Sequence, residues 1–446
     1  MADCKNSDNQ SKCEPSNAET QKNIEANGHQ GGKASYLSTL FHILAVSVGP
    51  IVFSLPLAFS MIGYASSMIG IAVVGFCYAY NLRLYLKCCQ KLSESRKIEN
   101  LTFADSVRFS LEDSPYHLEK IAPYAGQFMN VLTLLTWGGE LSFNVVFICR
   151  NLQHVISYYT GTDPDIHLIL LCCALPCTLI SSLPKMKLSF LSIIAGTIDL
   201  LFLGVILVEL YFNPNIRNVP HEAAPVDALQ KLPSFLSVIF FTLNFSGIVL
   251  PLKSEMKNQE KFDSRFGLIT VAVAIICIVD VTFGLLGYLR YGQSVNAMIT
   301  LNLPPSDMFI QIMIGLYCLA IFFSYPVYFL VVFKTIWDAW ISATIKKSEN
   351  CDLIEIFLRI CINMFLFLLM YIFPQISMFT NIGGLICAII NSLIVPSLVQ
   401  ILLLDEHKKS CVAFTIIRNI IFLIVGMVLL YFGLLQCFRE ISETTK

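Results

Sequence analysis

Two short segments carry the residue types that could hold a small polar ligand inside an apolar chain. The first reads Ser47-Val48-Gly49-Pro50-Ile51-Val52-Phe53-Ser54-Leu55-Pro56 and the second Asn244-Phe245-Ser246-Gly247-Ile248-Val249-Leu250-Pro251. Both run from a small polar residue through Gly and Ile-Val to Leu-Pro. Proline lacks a backbone N–H and its ring clashes with the carbonyl four residues earlier, so a helix carrying either segment breaks there. A break frees N–H and C=O groups, which at membrane depth are tolerated where they line a cavity or bind something. The amino end of a half-helix favours a carboxylate, and the carboxyl end favours a cation or an ammonium. A zwitterion suits that pair of ends. The alternative is a pair of ordinary proline kinks repaired by neighbouring Ser or Thr.

Ionisable groups in apolar surroundings are the second source of chemistry. A charge at the centre of a membrane helix costs roughly 2.5 to 3.5 kcal/mol on insertion scales and is usually retained for function. Glu140, Asp199, Glu209 and Asp280 fall in apolar runs. Glu209 sits toward the end of its run, and Asp280 could equally bond Thr282 or a neighbouring helix. Glu140 follows Trp137-Gly138-Gly139 and is the best placed of the four to accept a proton or pair with a substrate amine; a structural carboxyl kept neutral is the alternative. The 7 His residues show no metal-ligand spacing, and no P-loop or G-x-S-x-G occurs, so neither an enzyme, a metal site nor a cofactor is expected.

Positioning these groups requires long apolar helices. Of 446 residues 55% are hydrophobic and 14% charged, against about 25% charged in a soluble domain. A water-facing surface cannot be built from that. The net charge of −1 gives no reason to expect nucleic acid as a partner. Apolar runs of about 20 residues predict spans at 37–62, 66–88, 123–155, 166–183, 188–212, 232–252, 266–289, 307–340, 354–373, 377–404 and 412–437. The two breaks fall in the first and sixth, a symmetric placement that favours the cavity over plain kinks. Residues 101–120 read either as an amphipathic interfacial segment or as a solvated loop. The chain opens on a polar stretch without a signal peptide, which predicts a disordered cytosolic tail. With that end inside, the outer side keeps only Arg150, Arg217, Lys231, Arg290, Arg439 and Lys446 of the 30 Lys and Arg, and the C-terminus is extracellular or lumenal. Only Cys149 and Cys437 of the 16 Cys fall near the outer side, so no disulfide framework is readable.

A likeness to a known family runs from about Ser35 to the end. It rests on Gly287-Tyr288-Leu289-Arg290-Tyr291-Gly292 followed by Ile299-Thr300-Leu301-Asn302-Leu303-Pro304, and on Val249-Leu250-Pro251-Leu252 with Met256-Lys257 and Lys261-Phe262. Ser54-Leu55-Pro56-Leu57-Ala58, Glu112-Asp113-Ser114-Pro115 and Tyr325-Pro326 support it. The chain resembles the proton-coupled amino acid transporters of the amino acid/auxin permease group, within the amino acid–polyamine–organocation superfamily. The resemblance implies an all-α integral membrane protein of about eleven transmembrane helices, with a leucine-transporter-like five-plus-five inverted repeat and discontinuous first and sixth helices. The tail would cover 1–35, the ten-helix core 36–404 with repeats at about 36–212 and 232–404, and the eleventh helix with a short tail 405–446.

The implied activity is secondary transport of small neutral amino acids by alternating access, with a proton as coupling ion and the bilayer as the other partner. His42 in Phe41-His42-Ile43-Leu44 matches a family His implicated in proton coupling, and Glu140 is the second coupling candidate; a neutral His bonded between helices is the alternative for His42. Substrate contacts are expected from Ser47, Gly49, Pro50, Ile51, Ser54, Asn144, Thr242, Asn244, Phe245, Ser246 and Gly247. The chain departs from the family pattern at several of these. A G-x-G becomes Gly49-Pro50-Ile51, an acidic residue becomes Asn244, a glycine becomes Phe245, and a third-span aromatic becomes Asn144. These departures keep open an amino acid sensor with little transport, or an uncoupled facilitator. The absence of a clear acidic di-leucine signal in the tails favours the plasma membrane over a lysosomal or endosomal one.

Overall fold

The structure, a computed structural model, describes residues 34–98, 101–115, 117–182, 188–212, 225–341, 351–374, 381–404 and 409–444. The predicted cytosolic tail up to residue 33 lies outside them. Among the described residues eight helices are long and apolar enough to cross a bilayer, and the pair Tyr36–Ser47 and Pro50–Ile62, bent by 46°, makes a ninth if taken as one broken span. The shorter apolar helices Ile166–Ser182 and Ile386–Leu402 fall on the two remaining predicted spans. Among the described residues the only pairing of strand type is one parallel bridge, Ala34 with Met256.

The first break follows from two adjacent residues. Pro50 pushes the residue before it out of the helical region, and Gly49 is extended at φ −100° and ψ −164°. The helix therefore stops at Ser47, a 3-10 turn covers Pro50–Ser54, and the α-helix resumes over Leu55–Ile62 with Pro56 in its first turn, where a missing N–H costs nothing. The sixth span obeys the same chemistry. Its helix Pro225–Thr242 ends, Asn244 and Phe245 are non-helical, a 3-10 turn covers Ser246–Ile248, and Val249–Glu255 begins with Pro251 in the first turn. Beside this break the usual ladder is replaced by shorter closures, Asn244 N–H to Phe241 O at 3.1 Å and Phe245 N–H to Leu243 O at 2.9 Å.

Lipid tails are as apolar as leucine, so the helices are held by close packing and polar contacts rather than by expulsion from water. The third span, Ala122–Thr160, and the sixth are the most enclosed at 67% buried, whereas the eleventh is 11% buried and lies on the periphery. The eighth span, Met308–Ile336, packs between the third and the fifth, Leu188–Phe212; the sixth packs against the π-helical start of the tenth, Asn381–Ala388. The half of the broken first span after the break, Leu55–Ile62, lies against the sixth and the seventh, Leu268–Tyr291. Glycine permits that approach: a Cβ on Gly284 would lie 2.3 Å from the Phe59 ring.

Polar contacts fix the register of the outer helices. Asn81 of the second span, Tyr64–Arg96, donates to the Ser392 carbonyl at 2.8 Å and accepts from Gln400 at 2.9 Å, and Arg418 of the eleventh span donates to Gln400 at 2.6 Å. Within 101–120 the structure places a helix rather than a plain loop, with its apolar face covered by protein. Phe103–Glu112 is a helix with a Thr102–Asp105 capping box that buries Phe103, Val107 and Leu111 on one face, and Arg96 ties it to the second span through Glu112 and Asp113.

Candidate functional site

The two breaks bring together polar atoms that nothing else satisfies. Ser47, Ser54, Thr242, Asn144 and Ser246 are all at most 5% exposed, and Asn244 is half-buried. Ser47 Oγ, Ser54 Oγ, Asn144 Oδ1, Asn244 Oδ1 and Ser246 Oγ have no hydrogen-bond partner among the described residues. Buried polar groups in native proteins are nearly always paired, and each orphan costs about 1–3 kcal/mol. Five of the 18 such atoms among the described residues fall at the predicted site. The Tyr78 hydroxyl of the second span faces Ser246 and the backbone of Phe245, without full hydrogen-bond geometry, and the two rings meet edge-on at 5.3 Å.

The same region contains open space. Gly49 and Gly139 are buried, yet a Cβ built on either would meet no atom within 4 Å. Each glycine therefore borders open internal space, Gly49 at the first break and Gly139 on the third span beside Glu140. The Glu140 carboxyl is buried with no ion pair or hydrogen bond among the described residues, and its charge would bear on Tyr317 and Tyr328 of the eighth span. Asn391 of the tenth span donates to Thr136, one turn before Glu140, at 3.4 Å, and its own Oδ1 is unpartnered.

Toward Ile62 the hollow is closed by aromatic rings. Phe53 touches Phe147, Phe202, Phe283 and Tyr317 from four other spans, with ring centroids 5.3–5.9 Å apart. Toward Tyr36 the enclosure is looser, since Gly247 and Pro251 are exposed and Ile248 is half-exposed. The exposed Gly247 adjoins the Trp137 indole of the third span, 3.4 Å from its would-be Cβ.

The predicted residues divide as follows. Ser47, Gly49, Pro50, Ile51 and Ser54 cluster at the first break and Thr242, Asn244, Phe245, Ser246 and Gly247 at the second, while Asn144 and Glu140 come from the third span. Ile51 and Phe245 are 1% and 0% exposed. His42 lies half-buried on Tyr36–Ser47, more than a turn before the break. Of the other acids, Glu209 pairs with Arg290 at 3.2 Å at the ends of the fifth and seventh spans. Asp199, 8% exposed, carries an unpartnered Oδ1, and its charge would bear on Tyr317 and Tyr328 of the eighth span. Asp280 is fully buried against Thr242. Tyr78 and Asn391 were not legible as site residues: a Tyr in an apolar run is usually packing, whereas the small polar pair Asn391-Ser392 inside an apolar run was a signal that could have been used.

Comparison with known proteins gives the family and the fold. Residues 32–439 match the family model described as transmembrane amino acid transporter protein. The chain is 27% identical over 411 residues to the Proton-coupled amino acid transporter-like protein pathetic of Drosophila melanogaster, covering 91% of this chain and 85% of that one. It is 29% identical over 299 residues to Amino acid transporter ANT1 of Arabidopsis thaliana, covering 67% and 66%. Among solved structures, Mhp1, a nucleobase-cation-symport-1 family transporter in a closed conformation with bromovinylhydantoin bound, superposes with a TM-score of 0.56 at 12% identity over 93% of each chain. That likeness gives the fold: a leucine-transporter-like helical membrane bundle.

Proposed function

Because this chain belongs to the transmembrane amino acid transporter family, we propose that it is a secondary active transporter that carries small neutral amino acids together with protons by alternating access. The observation that carries the reading is the set of five unpartnered polar atoms at two facing helix breaks beside an internal hollow. The carboxyl ends of the half-helices at Ser47 and Thr242 favour the substrate ammonium, and the amino end at Pro50 favours its carboxylate. Ile51 and Phe245 narrow the space between them, which supports a short side chain. Glu140, without a counter-charge at the edge of the hollow, and His42 are the groups that would hold the coupled proton. The Phe53 cluster on the Ile62 side acts as the closed gate, and the looser Tyr36 side as the exit. With the Tyr36 end cytosolic, the gate faces the outside of the plasma membrane.

Purified protein in proteoliposomes, given radiolabelled amino acid and an imposed pH gradient, tests this. Uptake above the equilibrium ratio that collapses with a protonophore is expected. Binding to the same sample without flux would leave a sensor, and flux that stops at equilibrium would leave a facilitator.

A further inference from the structure

Asp280 lies in the middle of the seventh span, 0% exposed, and its Oδ2 is 2.7 Å from Thr242 Oγ1 while its Oδ1 has no partner. Thr242 is the last residue of Pro225–Thr242, immediately before the break of the sixth span. Its Oγ1 is also 2.9 Å from the Ile239 carbonyl, the same carbonyl that the Leu243 N–H reaches only at a long 3.3 Å. A threonine hydroxyl has one proton to donate and lone pairs to accept with. It cannot donate to Asp280 and to Ile239 at once. If Asp280 carries a proton, it donates to Thr242 and Thr242 donates to Ile239, so every short contact is a formed hydrogen bond. If Asp280 is ionised, Thr242 must turn its proton to the carboxylate, and the Ile239 carbonyl loses a donor in the last turn before the break.

We propose that Asp280 is a proton-binding site of the transport cycle, read out through Thr242 by the end of the helix that stops at the sixth-span break. The inference rests on the proton-coupled reading above and adds to it a residue that neither breaks nor lines the hollow. Its surroundings leave the carboxyl no other means of compensation. The elements packed against the seventh span carry titratable groups, among them Cys77, Tyr78 and Arg83 on the second, Tyr36 and His42 on Tyr36–Ser47, and Asp199 and Glu209 on the fifth; among the described residues the one titratable group on which the Asp280 charge bears is Cys277 on the seventh itself. Pro50–Ser54 and Leu55–Ile62 contribute none, and the Arg290 guanidinium near the end of the seventh span is held by Glu209. Thr242 is the one group bonded to Asp280 among the described residues. The exchanged proton is the one on Oδ2, between the carboxyl and Thr242 Oγ1, and the unpartnered Oδ1 leaves an ionised carboxylate with no second donor among the described residues.

The Asp280→Asn variant keeps an oxygen for Thr242 and the same shape but cannot exchange a proton. In proteoliposomes it should exchange labelled for unlabelled amino acid, a process needing no net proton movement, and should lose accumulation driven by an acid exterior. Thr242→Val, which keeps the carboxyl and removes the relay, should flatten the same pH dependence, and Thr242→Ser should restore it; this pair decides the matter if Asp280→Asn does not fold. A wild type that never accumulates substrate removes proton coupling altogether. A wild type that does accumulate, with Asp280→Asn or Thr242→Val accumulating equally well and with the same pH profile, removes Asp280 alone.

Discussion

Replacing Gly49 with valine separates what this residue does for folding from what it does for the ligand. Its backbone, at φ −100° and ψ −164°, is open to any L-residue, and a Cβ there meets nothing within 4 Å. A glycine replaced at such a site usually stabilises by about 0.4–1 kcal/mol, because the unfolded chain has fewer conformations to lose. The valine methyls then project into the hollow that the substrate is to occupy. Overfilling a packed site costs about 1–3 kcal/mol, which at 1.4 kcal/mol per decade raises KM about 5- to 150-fold. Thermal unfolding of purified protein and uptake kinetics measure the two effects separately. The expected result is an unchanged or raised Tm with a raised KM, and Gly49→Ala intermediate in KM. Uptake at the wild-type KM would refute the placement of the ligand, and a Tm that falls in step with uptake would refute the claim that the glycine serves the site rather than the fold.

Two further outcomes follow from burial. Lys253 and Asp263 form an ion pair at 3.2 Å with side chains only 9% and 8% exposed, and Lys253 also donates to Gln90. Lys253→Met leaves Asp263 buried and uncompensated and should cost about 3–5 kcal/mol, whereas Lys253→Met with Asp263→Leu should recover most of it; thermal unfolding of both variants checks the difference, and an equal loss in the two would contradict it. Phe53→Ala removes the ring at the centre of the aromatic gate and should cost about 3–5 kcal/mol as the cavity forms. A Tm within a degree or so of wild type would mean the rings do not share one packed core.

The sequence made the two breaks legible because proline chemistry is local: Gly49-Pro50 and Pro251 act on their own backbones whatever packs around them. The eleven apolar runs were legible for the same reason, and each has a helix on it. What periodicity could not supply was the partner of each polar group. Asp280 was an acid with two candidate partners, and the choice of Thr242 over Thr282 needed the sixth and seventh spans in register. Phe245 stood where a glycine was expected, and only the packing of Tyr78 against it shows how the second span accommodates the larger ring. Helix 103–112 was undecided between an amphipathic segment and a loop because its apolar face is half the length of a span; the Tyr85 hydroxyl, 2.6 Å from Ser106 Oγ, and the Arg96 contacts hold it as a helix against the second span.

A cryo-electron microscopy map of the full chain in lipid nanodiscs, with and without a transported amino acid, addresses the central claim most directly. Density for the amino acid is expected between Ser47–Gly49 and Asn244–Ser246, within hydrogen-bond reach of the polar atoms that lack partners in the empty protein. Density elsewhere in the bundle, with those five atoms still unpaired, would contradict it.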